Sequence, residues 1–286
     1  MTLHQDEVTA GPETVTALLA AQCPQWAGLP LRPAGAGTEN TMWRLGDDLL
    51  VRLPRTAEKA APLRKERTWL PRLAPQLSLP IPEPVFAGAP GPGFPLPWAV
   101  FRWIDGSPPG PGTVTDWPAF GADLAAFVRQ LHAIPLAGAT RGGELSWYRG
   151  GSLRDCAGWD LQLTGRLAEL WQAALTLPDP DRPPVWLHGD LRPANLLARD
   201  GRLAAVIDFG ALSVGWPDAE HAAVWDLPAP ARAAYREALA LDDLTWQRAR
   251  AWAIVVGASG VVYYRDSWPE FVAECRARLD AVIAES

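Results

Sequence analysis

One short segment carries most of the chemistry this chain could do. It reads Trp186-Leu187-His188-Gly189-Asp190-Leu191-Arg192-Pro193-Ala194-Asn195-Leu196-Leu197, and Ile207-Asp208-Phe209-Gly210 follows it. The pattern H-G-D-x-x-x-x-N fixes four positions, a chance match of roughly one in 10⁵ windows at residue frequencies of about 5%. Asp190 is a carboxylate that can accept a proton. Asn195 and Asp208 offer oxygen ligands of the kind hard divalent cations such as Mg²⁺ take. Other chemistries find no support. No G-x-S-x-G and no cysteine–histidine nucleophile pattern is present. His4, His132 and His221 share no metal-ligand spacing with His188, which reads as a residue that fixes the loop.

The surrounding pattern has to hold these groups in place. Glu13 to Gln22 is apolar at helical spacing, with Pro12 where a helix can start. Leu29–Pro33 leads into a loop, Ala34-Gly35-Ala36-Gly37-Thr38-Glu39-Asn40. Thr41–Leu45 and Leu49–Leu53, around Gly46-Asp47-Asp48, predict a hairpin. Thr56 to Leu73 fits a helix, and Pro84–Ala87 and Trp98–Trp103 are further strands. Asp105-Gly-Ser-Pro-Pro-Gly-Pro-Gly112 continues neither a helix nor a strand, so the boundary is placed there, giving lobes of residues 1–104 and 105–286. Beyond it helices are expected over Thr115–His132, Leu161–Leu175, Ala229–Ala240, Thr245–Tyr264 and Trp268–Glu285. Between them, Val185 to Phe209 consists of short apolar runs broken by turns.

Composition narrows the class. The 286 residues are 48% hydrophobic and 20% charged, ordinary globular usage. The uncharged apolar run Ala251 to Tyr264 has 14 residues, against roughly 20 for a membrane span. The start, Met1-Thr2-Leu3-His4-Gln5-Asp6-Glu7, lacks the basic and apolar parts of a signal peptide. Three cysteines without metal-like spacing suggest a reduced, cytoplasmic setting. A net charge of −6 with no basic tract argues against a nucleic-acid partner and is compatible with a cationic small substrate.

The two motifs, with the glycine loop ahead of a strand, resemble the aminoglycoside phosphotransferase-type small-molecule kinases, relatives of the protein kinases. The resemblance runs from the loop near Gly35 to the helices beyond Asp208. It implies an α+β, bilobal, protein-kinase-like fold: an N-terminal antiparallel sheet lobe that binds nucleotide, and a larger, mostly helical C-terminal lobe for catalysis and substrate. It also implies ATP as donor, with GTP as the alternative, Mg²⁺, and a small-molecule hydroxyl acceptor, aminoglycoside-like or another amino or polyhydroxy compound. Phosphoryl transfer needs an in-line hydroxyl, cations on the phosphates and a carboxylate that orients the nucleophile.

By that resemblance Asp190 is the catalytic base and Asn195 and Asp208 are the metal ligands. Arg192, where protein kinases carry a lysine, is expected to stabilise transition-state charge. Gly35, Gly37, Thr38 and Asn40 would cover the nucleotide phosphates. Arg52 holds the place of the strand lysine, Glu66 would anchor it, and main-chain groups of Arg102 and Ile104 would meet the purine. After Asp208 the family usually shows G-D-P-x-x-D, its second acid bracing the catalytic loop. Here Gly215-Trp216-Pro217-Asp218-Ala219-Glu220 leaves either Glu220 or Asp218 for that task.

The glycine after His188, and the nine residues between Gly210 and Glu220 with no A-P-E beyond, disfavour a protein kinase. A choline, homoserine or sugar kinase would keep the same machinery. A non-catalytic nucleotide-binding relative is the competing class, motivated by Arg52 and Trp216. Asp155, Asp160, Asp226, Asp242, Asp243, Asp266 and Glu270 are candidates to line a pocket for an amino-substituted substrate. Trp159, Trp216 or Trp225 could stack on a ring.

Overall fold

The computed structural model describes residues 7–36 and 40–286. Two compact units divide them: Met1–Pro75 with Pro80–Asp105, and Gln76–Leu79 with Gly106–Ser286.

The first unit is a five-stranded antiparallel sheet with two main helices. In chain order it holds α1 (Pro12–Gln22), β1 (Leu31–Ala36), β2 (Asn40–Leu45), β3 (Leu49–Pro54), α2 (Ala60–Leu73), β4 (Pro84–Gly88) and β5 (Trp98–Arg102). The strand order is β1-β2-β3-β5-β4. Residues 34–36, read from the sequence as loop, instead continue β1, with an irregular register between Pro33 and Ala36. Pro33 is tolerated because β1 is an edge strand.

Strand alternation sorts the core. Leu49, Val51 and Leu53 of β3, with Trp98 and Val100 of β5, pack against Val15, Leu18 and Leu19 of α1. The alternate residues Leu50, Ala99 and Phe101 gather with Leu63 of α2. Arg52 shares the parity of Leu50, so the pleat sends it towards α2 and its Glu66.

The second unit is mostly helical: α3 (Trp117–Ala133), α4 (Gly165–Leu175), α5 (Ala229–Leu239), α6 (Asp243–Tyr264) and α7 (Pro269–Glu285). Among them lie two antiparallel strand pairs. β6 (Val185–Leu187) pairs with β9 (Ser213–Gly215), and β7 (Leu196–Arg199) with β8 (Arg202–Val206). Aspartates cap two of the helices: Asp116 accepts from Ala119 N–H and Asp242 from Thr245 N–H. A ten-residue 3-10 segment, Pro217–Asp226, which the sequence reading did not anticipate, is buried along most of its length.

α3 and α5 approach so closely that a Cβ on Gly121 would lie 2.1 Å from the Ala231 carbonyl oxygen. Gly121→Ala must therefore push backbone apart, at a cost of about 1–3 kcal/mol or more. The expected fall in melting temperature is about 2–4 °C per kcal/mol. A thermal scan with an unchanged midpoint would mean the two helices separate freely.

Candidate active site

The catalytic-loop motif begins where β6 ends. Gly189 has φ +83°, and a Cβ there would meet the Ala211 carbonyl oxygen at 2.4 Å. Glycine follows His188 because the turn after Asp208 occupies the space a side chain would need. Glu220, only 4% exposed, accepts hydrogen bonds from the main-chain N–H groups of His188 (2.7 Å) and Gly189 (2.9 Å). The choice left open by the sequence falls to Glu220. Asp218 is turned to Arg248 of α6, at 2.8 Å. Burial pushes the Glu220 carboxyl up to about 7, against the two N–H donors and Arg149.

His188 is fully buried and joins the two motifs. Its Nε2 lies 3.0 Å from the Ile207 carbonyl oxygen, and its Nδ1 accepts from Asp190 N–H at 3.1 Å. One neutral tautomer serves both contacts, and burial lowers the pKa of the ring. The ring holds the loop in place, and its one proton, on Nε2, is committed to the Ile207 carbonyl.

Asp190 keeps a partly open carboxylate, 36% exposed. Arg149, from the 3-10 turn Tyr148–Gly150, donates from Nη1 to Asp190 Oδ1 (2.8 Å) and to the Gly189 carbonyl (2.7 Å). Its Nε donates to the Tyr148 hydroxyl at 2.9 Å. Burial would raise the Asp190 pKa, but the charge and hydrogen bond of Arg149 outweigh it and hold the carboxyl below its ordinary range. Asp190 therefore stays ionised at neutral pH.

Arg149→Met should move the acidic limb of the kcat–pH profile upward and lower kcat at neutral pH by about tenfold or more, the worth of one charged hydrogen bond. The depressed pKa also contributes stability that is present above the ordinary carboxylate range and lost as pH falls through the lowered value. That acid-side contribution should shrink in the variant. An unmoved acidic limb would remove Arg149 from this role.

Asn195 Nδ2 donates to the Asp190 main-chain carbonyl (2.8 Å) and to its Oδ2 (3.3 Å). This leaves the amide oxygen as the end that can meet a cation. Ile207 N–H donates to the Asn195 carbonyl at 2.9 Å, tying the second motif beside the first. Asp208 is exposed and left-handed (φ +61°, ψ +73°), a conformation aspartate tolerates better than most residues. Among the described residues no three His, Cys, Asp or Glu side chains gather as a cage. Magnesium characteristically takes one or two carboxylates and completes its shell with phosphate and water. The carboxylate of Asp208 and the amide oxygen of Asn195 fit that donor set.

Arg192, two residues after Asp190, is engaged by α7. Its Nη2 donates to Glu274 of α7 at 2.6 Å, and its guanidinium lies over Phe271, 4.6 Å from the ring centroid. Arg149 makes the direct contact with Asp190 that the sequence reading did not foresee.

In the first unit, Arg52 and Glu66 form a buried ion pair at 2.7 Å, with the guanidinium 5.1 Å from the Phe101 ring centroid. Asn40 opens β2, buried, and its Oδ1 has no hydrogen-bond partner among the described residues. Gly35 belongs to β1, and Gly37 and Thr38 lie outside the described residues. The Arg102 main-chain N–H donates to the Glu83 carbonyl at 2.9 Å. Ile104 follows β5 in irregular chain, half-buried.

Most of the acidic candidates for an amine pocket are engaged locally. Asp155 closes a capping box with Ser152, Asp226 pairs with Arg278, Asp242 caps α6 and Asp243 pairs with Arg236. Asp160 accepts from Gln162 at 3.2 Å. Trp225 is buried against Trp246, whereas Trp159 is exposed beside Tyr148.

The phosphotransferase enzyme family matches residues 30–252. Among curated proteins none matches by sequence. Similar solved structures include the GDP and kanamycin complex of APH(2")-IIia, with TM-score 0.75, 21% identity and coverage of 95% of this chain and 99% of that one. The apoenzyme of macrolide 2'-phosphotransferase MphH from Brachybacterium faecium has TM-score 0.65 and 23% identity, over 96% and 98% of the two chains. The streptomycin–ATP–APH(2")-IIa ternary complex has TM-score 0.58 and 17% identity, over 87% and 91%. At these identities the shared property is the fold.

Proposed function

Because this chain belongs to the phosphotransferase enzyme family, with its kinase-like α+β fold, we propose that it moves the γ-phosphoryl of Mg-ATP, or of GTP, to a hydroxyl of a small molecule. The observation that carries this reading is Asp190, ionised, partly open, and held by Arg149 and by Asn195, whose main-chain carbonyl accepts from Ile207 next to Asp208. Asp190 would orient the acceptor hydroxyl and take its proton. The acceptor oxygen forms the new bond to phosphorus as the bond from phosphorus to the bridging oxygen breaks, and the nucleoside diphosphate leaves with that electron pair.

Asn195 and Asp208 would hold Mg²⁺, which when bound supplies charge neutralisation at the phosphate oxygens. Arg52, fixed by Glu66, would give the phosphates a forked cation in place of a lysine point charge. GDP and ATP in the solved relatives named above support a nucleotide donor. Among the described residues no helix is long and apolar enough to cross a membrane.

The test is a mass-spectrometric search for acceptors that gain one phosphoryl group from ATP, across aminoglycosides, macrolides, choline, homoserine and sugars. Product should form with Mg²⁺ and vanish with EDTA. ATP binding without any phosphorylated product, or product that survives EDTA, would contradict this reading.

A further inference from the structure

The brace on the catalytic loop is carried by a segment with little hold on its own shape. The 3-10 run Pro217–Asp226 is ten residues long and buried from Pro217 to Trp225. Runs of this conformation seldom exceed about three or four residues, because their hydrogen bonds are poorly aligned. Side chains that reach its neighbours must therefore help to fix its position.

Its four ionisable side chains go to four different elements. Glu220 accepts from the main-chain N–H groups of His188 and Gly189 in the catalytic loop. His221 Nδ1 lies 2.8 Å from the Tyr235 hydroxyl of α5. Asp226 pairs with Arg278 of α7. Asp218 Oδ1 accepts from Arg248 Nε of α6 at 2.8 Å.

Of these anchors, Asp218–Arg248 is the charged one nearest Glu220. A hydrogen bond between charged groups is roughly twice as strong as a neutral one, and burial keeps His221 neutral. Asp226 lies six positions on, about two turns away. The remaining guanidinium nitrogens of Arg248 are also engaged: Nη1 donates to the Pro178 carbonyl and Nη2 to the Thr245 hydroxyl, both at 3.4 Å. Asp218 Oδ2 has no hydrogen-bond partner among the described residues. Arg248 is thus a fixed point, 5% exposed, and Asp218, 2% exposed, is tied to it. At three residues per turn, side chains two positions apart leave the axis roughly 120° apart. Turning the segment at Asp218 must then swing Glu220 as well.

We infer that Arg248 is a positioning residue of the active site: through Asp218 it sets the rotation of the 3-10 segment, and so where Glu220 meets the loop that carries Asp190. That this placement serves catalysis rests on the phosphotransferase reading.

The experiment uses the whole chain and two readouts. Hydrogen exchange, followed by mass spectrometry on a peptide containing residues 188 and 189, reports the two N–H groups held by Glu220. Magnesium-dependent ATP hydrolysis, with water in the acceptor's place, reports turnover, and ATP binding is measured alongside. Arg248→Met leaves a buried carboxylate uncompensated and should melt early. Asp218→Val with Arg248→Met removes both charges, a replacement that often leaves stability unchanged.

In that double variant, with melting checked, exchange at 188 and 189 should rise about tenfold or more, the worth of one charged hydrogen bond. Exchange over α3 should stay as in wild type, which a general loosening of the fold would not allow. Hydrolysis per folded molecule should fall about tenfold or more. Adding Glu220→Gln should bring little further loss, because the same path is already cut. Arg248→Lys should recover part of both readouts. Wild-type exchange at 188 and 189 in the folded double variant overturns the inference, as does a wild-type rate. A chain that binds no ATP sinks the phosphotransferase reading instead, and exchange still decides whether Arg248 sets Glu220.

Discussion

Asp190→Asn is expected to lower kcat by about 10²–10⁴-fold, the usual contribution of a positioned general base. The amide keeps the size of the carboxylate and can still accept from Arg149 Nη1 through its oxygen. Its NH₂ would then face Asn195 Nδ2, which now donates to Asp190 Oδ2 at 3.3 Å. Two donors in that position repel, and Arg149 also loses the charge it neutralises. Geometry and basicity therefore fail together, which places the effect towards the upper end of the range. Nucleotide affinity should change far less, because Asp190 is assigned to the acceptor hydroxyl. Single-turnover kinetics with a bound acceptor would separate the two quantities. Retention of more than about a tenth of the rate would remove Asp190 as the base.

Glu220 should matter almost as much without touching a substrate. Both its oxygens accept main-chain N–H groups of the catalytic loop. In Glu220→Gln one of those donors faces an NH₂ and is orphaned in a buried position, at about 1–3 kcal/mol. Glu220→Ala orphans both. Loss of loop geometry should lower kcat by about tenfold or more in the Gln variant, with a fall in melting temperature of about 2–4 °C per kcal/mol.

The pH dependence identifies the cause. A carboxyl raised from 4.5 to about 7 in the folded chain contributes stability that is fully present below 4.5 and is lost as pH rises through about 7. The full contribution is on the order of 3 kcal/mol. Glu220→Gln cannot titrate, so its stability relative to wild type should improve between pH 5 and about 7. Denaturant unfolding at several pH values measures this. A constant gap between the two proteins across that window would show that Glu220 is ionised throughout, and wild-type turnover in the Gln variant would remove its bracing role.

The parts of this site readable in the sequence were those set by residue identity at fixed spacing. Asp190, Asn195 and Asp208 stand in motifs too improbable to arise by chance. The Arg52–Glu66 pair was expected only through the family resemblance, and the structure shows the two in contact. Arg149 was not legible: it sits in a 3-10 turn, lacks any periodic signal, and reaches Asp190 across 41 positions of chain. The partner of Arg192 was hidden for a related reason, because Glu274 lies 82 positions away on another helix. Long-range pairings of this kind depend on how α7 packs, and local pattern carries no record of that.

Local reading also misjudged the residues of β1. Pro33 and Gly35 punctuate a loop in most sequences, yet pairing of Leu31 with Leu45 and of Ala36 with Thr41 carries the chain through them as an edge strand. The choice between Asp218 and Glu220 was decided by the buried 3-10 segment that carries both. It turns one acid to Arg248 and the other to the loop.

The guanidinium on β3 has a practical consequence for anyone surveying proteomes with covalent reagents. A reagent that acylates an amine on β3 finds none, because position 52 carries a guanidinium. The chain's two lysines, Lys59 and Lys65, stand at the start of α2 and within it, and Lys65 is buried. Chemistry that looks for a reactive amine on that strand will pass over this protein.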